Sequence, residues 1–337
     1  EDIAMGFPTW VWIATIGALA AVVAVDFYLV ARNPRQPSLR ECTTWVVCYV
    51  VLAVVFGLGL LVLAGPGSGG EFFAGWITEY SLSVDNLFVF VLIMSRFGVP
   101  RRFRQKVLLV GVVLALLLRG VFIAVGAEAV RRFDWVFYLF GAFLVYTAWK
   151  LLREDPAEET EFTENAVVRL VRRVVPTSTA YGRGTLFTRE AGRRVVTPML
   201  VVMVAVGTTD VLFAVDSIPA IFGLTTEPYL VFTANAFALM GLRQLFFLIG
   251  GLLDRLVHLS RGLSVILAFI GVKLVLEALH EQGVGWAPAI PIWASLAVIV
   301  GTLAITAVTS LVRTARDRRA PTAPARDRTV SEEVEAG

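Results

Sequence analysis

The chain has 337 residues, 57% of them hydrophobic, a mean hydropathy of +0.75 and a net charge of +3. An ordinary soluble domain is roughly 45–50% apolar, and here the apolar residues gather in repeated runs of about 20, the length that crosses a bilayer core about 30 Å thick. Runs this dense cannot all be buried in a soluble core, so the composition excludes an ordinary globular domain and predicts a membrane protein of about nine transmembrane helices.

In chain order the predicted spans are 9–31, 45–64, 72–95, 106–127, 133–152, 197–222, 228–250, 262–281 and 289–312. The first is flanked by Glu1 and Asp2 rather than by a basic n-region, so it reads as a retained anchor and not as a signal peptide. Cys42 and Cys48 are the only cysteines, at a spacing that matches no zinc or redox motif. Residues 1–66 hold two accessory helices, 67–152 a first group of three spans, 197–281 a second, and 282–312 a last span. Between the two groups, 153–196 forms a soluble insert. Its acidic start (Glu154 to Glu164) and the alternating arginines and apolar residues of 166–175 predict an amphipathic helix lying on the membrane. The turn-like Ala191-Gly192 between β-favouring runs predicts a small hairpin. Residues 313–337, rich in Arg, Pro, Ala and Glu, predict a disordered tail.

Basic residues concentrate in alternate loops. Twenty-five of the 30 Lys and Arg residues follow spans one, three, five, seven and nine, whereas the intervening loops carry only Arg131 and Arg132. The positive-inside rule then predicts an N-terminus outside and a C-terminus in the cytoplasm. Topology accounts for these basic segments, so they do not call for a nucleic-acid partner.

The chain also resembles itself. TEYSLSVDN in span three matches TTDVLFAVDS in span six, pairing Glu79 with Asp210 and Asp85 with Asp216. LRGVFIAVG in span four matches LRQLFFLIG in span seven, pairing Arg119 with Arg243, and spans five and eight share Gly141 and Gly271 at a similar offset. Because span three runs inward and span six outward, this predicts an inverted three-plus-three repeat within an all-α fold, a plan of secondary transporters whose site lies near the midplane between the repeats.

Glu79, Asp85, Asp210, Asp216, Arg119, Arg243 and Lys273 fall inside predicted spans. A charge at the bilayer centre costs roughly 2.5–3.5 kcal/mol on insertion scales, so these groups must face one another or water. Lys273 can pair with Glu277 one turn later. If Arg119 and Arg243 each hold one motif carboxylate, two negative charges remain, matching one divalent cation. Asn86, Asn235, Thr209 and Ser217 add neutral oxygens, and an oxygen-only ligand set suits Mn²⁺, Mg²⁺ or Ca²⁺. Residues six apart on a regular helix are separated by about 240°. Either each motif offers one carboxylate to the ion and one to an arginine, or the helix is broken there. Gly207 and Pro219 predict a distorted span six.

At these residues the sequence resembles the TerC/Alx family of bacterial membrane proteins, also found in plastids. The stretches that carry the resemblance are EYSLSVDNLFVF, TTDVLFAVDSIPAIFGLT, FTANAFALMGLRQLFFLIGGLL and LSVILAFIGVKLVLE, between Glu71 and His280. The family's first motif usually has Trp after the glutamate, where this chain has Tyr80. The resemblance implies a metal-ion transporter, with manganese export, supply of metal to secreted enzymes and an association with tellurite resistance. It implies Glu79, Asp85, Asp210 and Asp216 as ion-site carboxylates, Asn86 and Asn235 as neutral ligands, and Arg119 and Arg243 as organising cations.

Two functions are expected to compete. One is export of a divalent cation, Mn²⁺ favoured, by alternating access, with no permanently bound cofactor, the metal as transported substrate, and proton exchange at the ionisable ligands. The other is a membrane scaffold that docks a cytoplasmic or secretion-machinery protein, with purely structural intramembrane charges. No Walker A, dinucleotide-binding, nucleophile-elbow or HExxH motif points to an enzyme.

Overall fold

A computed structural model describes residues 7–32, 37–133, 135–153, 185–190, 193–249, 259–284 and 286–317. The helices are α1 (Thr9–Arg32), α2 (Leu39–Leu63), α3 (Pro66–Arg96), α4 (Arg101–Arg132), α5 (Trp135–Arg153), α6 (Pro198–Phe222), α7 (Pro228–Leu239), α8 (Leu242–Ile249), α9 (Leu259–Glu281) and α10 (Ile292–Asp317). With α7 and α8 counted as one span, nine segments among the described residues are long and apolar enough to cross a membrane. The chain is an all-α, multi-pass integral membrane protein. Its strands, β1 (Phe187–Glu190) and β2 (Arg193–Val196), pair antiparallel with Phe187 opposite Val196. The amphipathic helix expected over 166–175 and the tail from 318 lie outside the described residues.

Local chemistry sets several helix starts. Ser38 and Glu41 form a reciprocal capping box ahead of α2, with Ser38 Oγ accepting from the Glu41 amide at 3.2 Å. Pro66, Pro198 and Pro228 open α3, α6 and α7, at the turn where a missing N–H breaks no helical hydrogen bond.

The core and rim differ sharply in burial. The span containing α7 is 83% buried, against 6% for the apolar stretch of α1 and 17% for that of α10. Exposed Val51, Val55, Leu58, Ile305 and Val308 face outward from α2 and α10, as lipid-facing positions do. Inside this rim, α3 packs against α7, α4 against α6, and α5 against α9, while α10 covers α9 and α3.

The α5–α9 crossing is close because both helices present glycine. A Cβ on Gly141 would stand 2.8 Å from the Gly271 carbonyl oxygen, and one on Gly271 would stand 2.9 Å from the Gly141 carbonyl oxygen. Backbone cannot move aside as a flexible side chain can. Gly141→Val is therefore expected to destabilise the detergent-solubilised protein by about 1–3 kcal/mol, the usual range for overpacking. Gly17→Ala, with nothing within 4 Å of the added carbon, should melt at or above the wild-type temperature in the same thermal scan.

Span six is unbroken where sequence placed a distortion. The helix α6 continues through Gly207 and Pro219 to Phe222. Pro219 forgoes one i→i−4 hydrogen bond, yet the helix runs on past it, and Gly207 instead admits the Leu114 side chain, 2.4 Å from where a Cβ would be. The break falls in span seven, between α7 and α8, where Met240 is extended and Gly241 takes φ +92. That backbone region is one glycine enters at little cost.

Candidate functional site

Arg119, midway along α4, is 1% exposed, and an unpaired guanidinium at that depth would be prohibitive. Its Nη1 donates to Glu79 Oε2 of α3 at 2.7 Å and to Ser217 Oγ of α6 at 3.2 Å. Its Nη2 lies 3.5 Å from Asp210 Oδ1, also on α6. From α7, Asn235 Nδ2 donates to the other Glu79 oxygen at 3.0 Å. Four helices therefore meet on one ion-pair network, and the arginine fork lets a single cation address two carboxylates.

The network is incomplete. Two carboxylates against one guanidinium leave one negative charge, and Asp210 Oδ2, Thr78 Oγ1, Ser83 Oγ and both Nε and Nη2 of Arg119 are buried without a hydrogen-bond partner. Buried polar atoms nearly always find partners. A cluster in which Glu79, Asp210 and Arg119 sum to −1, with amide and hydroxyl oxygens beside them, is chemically suited to a cation with oxygen ligands. Glu79, Ser83 and Asn86 share one stripe of α3, and Asn86 and Thr209 are both buried. Both motif helices are continuous, so of the two geometries open from sequence the broken helix is absent. The side chains of Asp85 and Asp216 lie outside the described residues. Among the described residues no three His, Cys, Asp or Glu side chains cluster closely enough to hold a metal ion by themselves.

The expected pairing of one arginine per motif does not hold. Arg119 takes both Glu79 and Asp210, whereas Arg243 Nη2 donates to Asp26 of α1 at 2.5 Å, with Gln244 Nε2 3.4 Å from the same oxygen. The reason is the break before α8, after which Arg243 lies against the accessory helix. Asp26 was absent from the charges singled out by sequence, although its position inside the first apolar run was a sufficient signal. Lys273 of α9 lies 3.3 Å from Glu277 and also donates to the Gly223 carbonyl at the end of α6, at 3.0 Å. It ties the end of α6, six residues along from Ser217, to the middle of α9. Nearby, Glu71 accepts from Thr225 at 2.5 Å.

Residues 64–318 match the family described as "Integral membrane protein TerC family". An uncharacterized membrane protein of Mycobacterium tuberculosis is 49% identical over 281 residues, covering 82% of this chain and 71% of its own length. One from Myxococcus xanthus is 38% identical over 314 residues, covering 93% and 95%. The chloroplastic thylakoid membrane protein TERC of Arabidopsis thaliana is 39% identical over 243 residues, covering 72% and 63%. No solved structure matches the chain.

Proposed function

The chain belongs to the TerC family of integral membrane proteins, and we propose that it is a transporter exporting a divalent cation, Mn²⁺ favoured, through the carboxylate site beside Arg119. The observation that carries this reading is the net negative charge of the cluster where α3, α4, α6 and α7 meet, with one carboxylate oxygen left unpartnered. Asp210 Oδ2 has no donor there, and its other oxygen is held only at 3.5 Å. A hard cation would complete that oxygen. Asp210 would leave Arg119 for the ion, while Glu79, bonded on both oxygens, would keep Arg119 and Asn235 in place.

Packing supports alternating access. Exchanging span three with six, four with seven and five with eight maps the contacts α3–α7, α4–α6 and α5–α9 onto themselves. The reciprocal approach of Gly141 and Gly271 lies where an axis of such an inverted repeat would pass. With the N-terminus outside, the basic loops and the 153–196 insert face the cytoplasm, and export moves the ion to the side opposite them. Uphill movement would draw on an ion gradient, for which proton exchange at the carboxylates is one chemical route.

The test is Mn²⁺ flux across proteoliposomes containing the full chain. Saturable flux, competed by other divalent cations, is the expected result. Absence of flux for Mn²⁺, Ca²⁺ and Mg²⁺ alike would favour the second reading, a membrane scaffold. The interhelical bonding of Arg119 also suits that reading, since it would lock four helices together without any ion.

A further inference from the structure

Asp26 is an acid in a lipid-facing accessory helix, and α1 otherwise presents apolar residues such as Trp10, Ile13 and Val25 to the outside. A carboxylate there is costly unless it has a task. Its partner is Arg243, the counterpart of Arg119 in the second group of spans. Under the exchange of spans three with six and four with seven, the residues bonded to Arg119, Glu79 and Asp210, map onto each other. The same two carboxylates are therefore the repeat-related partners of Arg243. Arg119 occupies them, and Arg243 is turned away to Asp26.

Three features make that position of Arg243 reversible. It follows the break at Met240 and Gly241, where α8 can swing on a residue with φ +92. Its Nη1 is buried with no hydrogen-bond partner, so Asp26 does not saturate it. Beside it lies a cavity of about 20 Å³ lined by Asp26, Tyr49, Met240, Gly241, Arg243 and Gln244, room for a single water or for a small shift of the side chain.

We propose that Asp26 is a positioning residue. It holds Arg243 out of the carboxylate site in the state seen here, and the oppositely facing state forms when Arg243 leaves Asp26 and replaces Arg119 at Glu79 and Asp210. The accessory helix thereby sets the balance between two states that the repeats alone would leave equivalent. This rests on the transporter reading for its purpose, but the Asp26–Arg243 latch can be tested separately.

The chain carries its own reporter. Cys42 is fully buried, seven residues before Tyr49 on the face of α2 that packs against α8, whereas Cys48 is exposed. In a Cys48→Ser background, reconstituted full-length protein is treated with N-ethylmaleimide and the labelling rate of Cys42 is followed. Asp26→Asn is expected to raise that rate about tenfold, within the range of typical coupling between two states, and Asp26→Glu to restore it. Arg243→Gln should act like Asp26→Asn. The double variant should label no faster than either single one, a non-additivity that two independent destabilisations would not produce. Unchanged labelling in Asp26→Asn, or additive rates in the double variant, would overturn the proposal. Mn²⁺ flux is measured on the same vesicles. Flux with unchanged labelling removes the latch and keeps the transporter; labelling changes without any wild-type flux keep the latch and remove the transporter.

Discussion

Arg119→Met is expected to leave little folded protein, and adding Glu79→Gln to the same chain is expected to recover part of it. Arg119 is buried to 1% exposure and bonds Glu79 at 2.7 Å, with Asp210 at 3.5 Å. Removing the guanidinium leaves two carboxylates in a low-dielectric interior with Asn235 as a donor to one of them. Breaking a buried pair from one side costs about 3–5 kcal/mol, because the surviving charge is stranded, and that is a large share of the usual 5–15 kcal/mol of stability. Neutralising Glu79 removes one stranded charge, so the double variant should be more stable than Arg119→Met. Arg119→Lys should fall between, since an ammonium keeps the charge but cannot fork between two helices. Size-exclusion profiles and melting curves of the detergent-solubilised variants measure this directly. Equal stability for wild type and Arg119→Met would mean that the network does not hold the core.

Asp210→Asn is expected to behave in the opposite manner, keeping the fold while losing transport. Its link to Arg119 is long and one of its oxygens has no donor. The amide therefore breaks little, and Arg119 keeps Glu79 and Ser217. The lost negative charge is the one available to a cation, so Mn²⁺ flux should fall by at least the roughly 10–100-fold seen when groups around a metal are altered. Glu79→Gln separates the roles. Both Glu79 oxygens already accept hydrogen bonds, and an amide nitrogen placed against either donor would lower stability as well as flux. A variant Asp210→Asn with wild-type flux and wild-type melting would show that this carboxylate neither binds the ion nor supports the core.

The spans were legible because a bilayer demands long apolar runs, and each predicted run has a helix over it. Arg119 and Glu79 were legible as a problem, two charges where charge is expensive, but their pairing was not. Which carboxylate an arginine reaches depends on how four helices cross, and hydropathy carries no record of that. The sequence signs for a break pointed to Pro219 because proline lacks an N–H, yet the helix runs through it to Phe222. The actual break at Gly241 falls in a run, LMGLRQL, whose lone glycine carries no stop signal of its own, because glycine is frequent inside membrane helices. Asp26 was readable and overlooked, since the repeat directed attention to the six spans that contain it and away from α1.

The transporter reading is tested most directly by Mn²⁺ efflux from proteoliposomes, or from cells lacking their own exporters, comparing wild type with Asp85→Asn and Asp216→Asn at matched amounts of folded protein. Efflux by wild type and its loss in both well-folded variants is the predicted result, because the second carboxylate of each motif would join Asp210 around the ion. Undiminished efflux in both variants would contradict a carboxylate site shared by the two motifs, and no efflux even from wild type would make the buried charges a lock between helices.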